Sequence, residues 1–207
     1  MPELKKYKMF INGNWVDSES KKTFTTLNPE NNEPWATAPE ASAKDVDIAV
    51  KAAQKAFEGT WPNLFPRERA KYLKAIADQL RDNAELLGKI ETIDTGKLFK
   101  ETKDQAKYIA EYYDYYAGLA DKVEGTVLPI DKENMQVITT RIPIGVVAAI
   151  IPWNSQMLLT AVKLAPALAM GNTVVIKSSE LAPATLFEFG KLIEKTGIPR
   201  GVINIIS

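Results

Sequence analysis

IGVVAAIIP (144–152), TVVIK (173–177) and GVINIIS (201–207) are three short, almost uninterrupted apolar runs, and they decide the fold. Runs of this kind are typical of strands buried in a parallel sheet. Helical patterns over 157–170 and 183–196 separate them. The resulting β-α-β-α-β order predicts right-handed crossovers and an α/β fold with a doubly wound, Rossmann-like, mostly parallel sheet.

The third run has no further helix or edge strand after it in this order, so we expect the sheet to expose an apolar strand edge there. Upstream, KMFINGNWV (8–16) places Asn12 and Gly13 between two apolar runs, which predicts a β-hairpin. Apolar residues at helical spacing predict three amphipathic helices. Their ranges are 45–57, 66–87 and 100–120.

The third of these helices is rich in tyrosine. We interpret the tyrosines as packing residues whose hydroxyls reach solvent. The alternative is a stacking platform for single-stranded nucleic acid. The 26 Lys and Arg balance the 26 Asp and Glu, so the net charge is zero and no nucleic-acid partner is expected. The tyrosines are Tyr108, Tyr112, Tyr113, Tyr115 and Tyr116.

The sequence contains neither His nor Cys. This composition excludes a thiolate or imidazole metal site, a disulfide framework, and any nucleophile system built from this chain that needs either residue. The start, MPELKKYKMF (1–10), has no apolar core, so no secretory signal is expected. No apolar stretch is long enough to span a membrane, and we expect a cytoplasmic protein without a membrane partner.

A change to period-two alternation over 125–143 predicts an extended ribbon at a sheet edge or an oligomer contact. We therefore divide the chain into three parts: residues 1–124, the ribbon over 125–143, and residues 144–207 with the parallel sheet.

Ligands of open α/β sheets bind at the carboxyl ends of the strands. Two such ends carry polar residues, at 150–155 and 176–180, although neither a GxGxxG nor a Walker A motif is present. Taken alone, Lys177 could be a ligand or a solvated lysine. Glu180 would more often be a carboxylate in the first turn of a helix, and Trp153 a packing residue.

The combination of motifs resembles the aldehyde dehydrogenase superfamily over nearly the whole chain, and matches the amino-terminal portion of that family only. The motifs that carry the resemblance are, in order, FINGNWV (10–16), LNPENNEP (27–34), ETIDTGK (91–97), IPIGVVAAIIPWN (142–154), KLAPALAMGNTVVIKSSE (163–180) and GIPRGVINII (197–206). Complete members oxidise a small-molecule aldehyde to a carboxylic acid with NAD(P)+, through a Cys thiohemiacetal and a thioester. The resemblance implies that residues 1–124 form the amino-terminal part of a cofactor-binding domain, 125–143 a bridging and oligomerisation ribbon, and 144–207 the first half of a dinucleotide-binding sheet.

The resemblance implies a role for residues in both loops. Asn154 of the PWN motif would be the catalytic oxyanion donor, whose amide donates to the reacting oxygen. Lys177 and Glu180 would hold the adenosine ribose, which favours NAD while leaving NADP possible. The implied cofactor-binding residues are Ile150, Ile151, Pro152, Trp153, Lys177, Ser179 and Glu180.

Three residues, at two places in the chain, depart from the family pattern. Ser155 and Gln156 replace a Phe-Pro pair, so a small polar group stands where the substrate tunnel usually has an aromatic wall. Ser178 replaces a proline of the adenosine-side turn. The implied tunnel residues are Ser155, Leu158, Leu159 and Val162. No metal site is expected, apart from a monovalent cation that some members hold near Leu27, Asp94 and Leu181.

The family's nucleophilic Cys and general-base Glu belong to its carboxyl-terminal half and have no counterpart here, so the chain alone is expected to be inactive. Our first hypothesis is the amino-terminal portion of an NAD(P)-dependent aldehyde dehydrogenase that forms homodimers or homotetramers through the ribbon. The alternative is a short non-catalytic protein that binds nucleotide or assembles with a full-length subunit.

Overall fold

The structure, a computed structural model, describes residues 4–207, so the first three residues of the stretch examined for a secretory signal lie outside it. The strands are β1 (Lys5–Lys6), β2 (Met9–Ile11), β3 (Asn14–Val16), β4 (Thr23–Asn28), β5 (Glu33–Pro39), β6 (Val127–Leu128), β7 (Val137–Ile138), β8 (Val146–Ile150), β9 (Thr173–Lys177) and β10 (Ile203–Ile206). The helices are α1 (Ala43–Glu58), α2 (Pro66–Asp82), α3 (Ala84–Thr95), α4 (Phe99–Leu119), α5 (Gln156–Ala169) and α6 (Ala184–Lys195), with 3₁₀ turns at Trp61–Asn63 and Trp153–Ser155.

The central sheet has five strands in the order β3-β2-β10-β9-β8. β8, β9 and β10 run parallel, as the sequence predicts, with α5 and α6 as the crossovers. Thr173 of β9 donates from Oγ1 to the Ala53 carbonyl of α1 (3.0 Å), and alternate side chains of a strand point to opposite faces. Helix α1 therefore covers the sheet face that Thr173 occupies, which gives the doubly wound arrangement.

The sheet does expose an apolar strand edge, but at β8 and not at β10. β2 pairs with β10 in antiparallel orientation, with Phe10 opposite Ile205, so the amino-terminal hairpin caps the last strand. The hairpin itself is confirmed, since Asn12 and Gly13 both adopt positive φ (52° and 70°), as a two-residue primed turn requires.

The edge strand at the other side of the sheet is β8. It pairs only with β9 within the described part of the chain, so the prediction of a strand buried like its neighbours is wrong here. Ala148 and Ile150 are exposed, whereas β10 is buried throughout. Among residues 4–207, no helix has the length and apolar character needed to cross a bilayer.

The helical layer differs from prediction in two places. The single helix predicted over 66–87 is two helices, because Asn83 donates from its side-chain amide to the Gln79 carbonyl (2.8 Å) and ends α2. α2, α3 and α4 pack on one another, and α4 also packs on α5. Tyr113 corrects a second expectation, since it is 1% exposed and its hydroxyl lies in the core rather than in solvent.

The ribbon predicted over 125–143 is present but short. β6 and β7 pair over two residues each, and both strands are largely exposed. The division of the chain at 124 and 143 stays a prediction. Because β2 belongs to the first of those parts and β10 to the last, the two parts share one sheet.

Candidate functional site

The two candidate loops leave adjacent strands at the same edge of the sheet. β8 and β9 pair in parallel with Ile150 opposite Lys177. Just beyond this pair, the amide of Ile151 donates to the Lys177 carbonyl (3.0 Å), and the amide of Ser178 donates to the Ile206 carbonyl (2.8 Å). The carboxyl ends of the three parallel strands are therefore aligned, and both loops start from a fixed backbone.

The loop after β8 presents its side chains to solvent. Ile150 is 68% and Trp153 51% exposed, and Pro152 and Asn154 are exposed as well, whereas Ile151 is buried. Asn154 is the middle residue of the 3₁₀ turn that leads into α5. The structure therefore gives the candidate oxyanion donor an open position on a backbone that Ile151 anchors in the core.

The loop after β9 carries a charged pair. Lys177 donates from Nζ to Glu180 Oε2 (2.8 Å), and this hydrogen bond lowers the pKa of Glu180. The intervening Ser178 and Ser179 are buried. Ser179 accepts the amide of Leu181 on its hydroxyl (3.2 Å), which fixes the turn. An ammonium and a carboxylate thus stand together at the strand end, where they can donate to and accept from neighbouring hydroxyl groups.

Three of the four predicted tunnel residues lie on one side of α5, and the fourth, Ser155, directly precedes the helix. Val162 follows Leu158 by four positions and Leu159 by three, which places these three residues along a single helical stripe. Ser155, Leu158 and Leu159 are half-buried and Val162 is exposed, while Met157 and the opposite face of the helix are buried. The stripe therefore offers one open, mainly apolar wall beginning directly at Asn154.

Sequence reasoning missed a contact at the start of this stripe. Lys97 donates from Nζ to Ser155 Oγ (2.5 Å), bringing the end of the ETIDTGK motif to the loop after β8. Burial raises the pKa of the nearby Glu91 to about 7, and the positive charge of Lys97 acts in the opposite direction. Lys97 belongs to a motif that carried the family resemblance, but the motif gave no signal of its partner.

The predicted cation position centres on a buried carboxylate that is already hydrogen-bonded. Asp94 accepts from Thr26 Oγ1 (2.8 Å) and from the amide of Ala184 (2.8 Å), at the first residue of α6. Burial raises the pKa of Asp94 to about 6. Leu27 follows Thr26 directly and Leu181 lies three positions before Ala184, and both leucine side chains are exposed. These contacts explain Asp94 as a link between β4, α3 and α6, and the cation stays a prediction.

A cavity of about 360 Å³ lies at the opposite edge of the sheet, near Gly13 and Arg200. The loops after β8 (151–155) and β9 (178–180) do not line this cavity. They form an open surface beside the exposed edge of β8, which we call the lip.

Comparison with known proteins decides the family. Residues 15–207 match the aldehyde dehydrogenase family. The chain belongs to this family. A 5-hydroxybutyrolactone dehydrogenase of Acinetobacter baylyi, whose full name specifies a (Z)-2-((N-methylformamido)methylene) substituent, is 49% identical over 99% of the chain and 42% of the relative. Aldehyde dehydrogenase family 2 member B4 of Arabidopsis thaliana is 46% identical over 96% of the chain and 37% of the relative.

Solved aldehyde dehydrogenase structures confirm the fold. Betaine aldehyde dehydrogenase of Staphylococcus aureus, in complex with NAD+, superimposes with a TM-score of 0.92 at 38% identity, over 96% of this chain and 40% of that one. An NAD-dependent aldehyde dehydrogenase of Sinorhizobium meliloti gives a TM-score of 0.94 at 33% identity, over 99% and 41%. The chain thus spans about two fifths of the length of the aldehyde dehydrogenases it matches.

Proposed function

We propose that the complete protein oxidises an aldehyde to a carboxylic acid with NAD+ as hydride acceptor. This chain would supply the oxyanion donor Asn154 and the adenosine-side pair Lys177 and Glu180. The observation that carries the proposal is the parallel pairing of Ile150 with Lys177, which brings both loops to one edge of the sheet. Membership of the aldehyde dehydrogenase family supports the reaction class.

The residues at this edge fit a dinucleotide. The exposed pair of Lys177 and Glu180 has a donor and an acceptor suited to the two hydroxyls of a ribose. The carboxylate of Glu180 would repel a 2′-phosphate, which favours NAD+ over NADP+. Ile150 and Trp153 offer apolar surface along the same lip, on the nicotinamide side. When bound, the cofactor supplies the hydride acceptor.

Asn154 acts on the reacting oxygen. Its side-chain amide would donate to the aldehyde oxygen as negative charge develops there, and a donor placed before the reaction needs no reorganisation. The short turn between Pro152 and α5 limits how far Asn154 can move. The nucleophile and the general base would come from the part of the complete protein that this chain does not include.

Replacing Asn154 by Ala in the complete enzyme tests this role. We expect turnover to fall by roughly 10²–10³-fold, as it does when other oxyanion donors are lost, with NAD+ affinity nearly unchanged. Asn14→Ala is the matched control, because Asn14 is exposed at the hairpin turn on the opposite edge of the sheet. Unaltered turnover in Asn154→Ala would show that the assignment is wrong.

We propose that the ribbon of β6 and β7 makes a contact between subunits of a homodimer or homotetramer. Val127 and Ile138 are 63% and 64% exposed on this ribbon, a pattern that favours a covered surface in the assembled protein. Replacing both residues by Lys should shift the complete protein to a smaller species in size-exclusion chromatography with light scattering. An unchanged molar mass would exclude this role for the ribbon.

A further inference from the structure

A cation stands beside the candidate oxyanion loop. Gly96 ends α3 in the left-handed conformation (φ 76°), and Lys97 follows it. The Lys97 Nζ lies 2.5 Å from Ser155 Oγ, and Ser155 directly follows Asn154. Because only 22% of the Lys97 side chain is exposed, its ammonium group has little freedom to move away from this position. Three polar groups therefore lie together where α5 begins: the Asn154 amide, the Ser155 hydroxyl and the Lys97 ammonium.

The charge of Lys97 is poorly neutralised by the protein. Across residues 4–207, the one carboxylate within 4 Å is Glu101, at 3.8 Å and more than half exposed. Burial raises the pKa of the nearby Glu91 carboxyl, so Glu91 neutralises Lys97 less fully than an ordinary ionised carboxylate would. A lysine ammonium has three donors, and the contact with Ser155 uses one of them.

We infer that Lys97 and Ser155 recognise a carboxylate on the substrate, so that the preferred aldehyde carries a negative charge. The inference rests on the proposed function, because it requires Asn154 to face the reacting carbonyl. An ammonium beside a hydroxyl binds a carboxylate through charge-assisted hydrogen bonds, which are stronger than neutral ones. The same ammonium repels an aldehyde that carries a cation. The small side chain of Ser155 leaves space for the bound group.

The substrate classes can be separated with three aldehydes in the complete enzyme with NAD+. Succinic semialdehyde carries a carboxylate, butanal is neutral, and betaine aldehyde carries a cation. We expect Lys97→Met to lower kcat/KM for succinic semialdehyde by about 10–100-fold, the loss expected for a hydrogen bond to a charged group. It should change the value for butanal by less than about threefold and raise that for betaine aldehyde relative to butanal.

Two further variants complete the test. Lys100→Met is the matched control, because Lys100 is exposed in the first turn of α4, and all three kcat/KM values should stay unchanged. Ser155→Ala keeps the lysine and removes the hydroxyl, and should lower kcat/KM for succinic semialdehyde by about 3–10-fold. If Lys97→Met does not fold, Ser155→Ala provides the test of carboxylate recognition.

If Lys97→Met lowers kcat/KM equally for all three aldehydes, the inference is overturned, because Lys97 would then only support the loop. Unchanged ratios among the aldehydes in both Lys97→Met and Ser155→Ala would also overturn it. These outcomes differ from a failure of the proposed function, in which the wild-type complete enzyme would oxidise none of the aldehydes.

Discussion

Glu91 is a buried carboxyl whose ionisation weakens the fold. Its side chain lies in α3, the residue is 2% exposed, and its Oε1 has no hydrogen-bond partner in the described part of the protein. Burial raises its pKa from 4.5 to about 7, although the charge of Lys97 opposes the change. A tenfold change in proton affinity is worth about 1.4 kcal/mol, so ionised Glu91 destabilises the native state by about 3 kcal/mol above pH 7.

The sign of the pH dependence follows from the direction of this change. The folded state holds the proton of Glu91 more tightly than the unfolded state does. The contribution to stability is therefore fully present below pH 4.5 and is lost as the pH rises through about 7. Glu91→Gln has the shape of the protonated side chain and cannot ionise. We expect it to be more stable than the wild type by about 3 kcal/mol at pH 8, and to differ by less than about 1 kcal/mol at pH 5.

Urea unfolding of the complete protein, followed by tryptophan fluorescence between pH 5 and pH 8, measures this difference. Asp94, whose pKa burial raises to about 6, is present in both proteins, and its charge also helps to raise the pKa of Glu91. The comparison between variants therefore measures Glu91 together with its repulsion by Asp94. Glu111→Gln, at an exposed position of α4, should change the free energy of unfolding by less than about 0.5 kcal/mol. If the free energy of unfolding changes equally with pH in the wild type and in Glu91→Gln, the reasoning is refuted. A Glu91→Gln variant that is less stable than the wild type at pH 8 would refute it as well.

Three further changes test separate parts of the structure. Asp45→Ala removes the carboxylate that accepts the Ser42 amide (2.7 Å) in the capping box of α1, and should lower the free energy of unfolding by about 2 kcal/mol in urea. Gly190→Ala would place a Cβ 2.9 Å from the indole ring of Trp15 and should lower the free energy of unfolding by about 1–3 kcal/mol. Gly118 has open space around it, so Gly118→Ala should leave the free energy of unfolding unchanged or raise it in the same assay. Glu180→Gln in the complete enzyme should weaken NAD+ binding about tenfold and narrow the preference over NADP+, and calorimetry giving an unchanged cofactor ratio would contradict the role of Glu180.

Local sequence patterns predicted much of this fold. Asn12 and Gly13 identified the hairpin because few residue pairs adopt two successive positive φ values. The apolar runs identified three parallel strands, and their order placed the loops holding Asn154 and Lys177 at one edge of the sheet. The end of α2 was missed because helical periodicity does not register a side chain such as Asn83 that bonds back to the main chain.

The features that the sequence did not reveal depend on contacts between distant segments. Nothing in the local pattern near Phe10 shows that it pairs with Ile205 and covers the last strand. The contact between Lys97 and Ser155 joins residues 58 positions apart. The sequence marked Ser155 as a departure from the family pattern and Lys97 as the end of a family motif, but it gave no sign that the two side chains meet. Such contacts follow from how the helical layer packs on the sheet, which periodicity does not encode.

The most direct test is a crystal structure of the complete protein with NAD+ bound. We predict the adenosine ribose within hydrogen-bond distance of Lys177 and Glu180, and the nicotinamide end along the exposed lip from Ile150 to Asn154. Adenosine bound away from the end of β9, or a nicotinamide ring on the far side of the sheet from Asn154, would contradict the account.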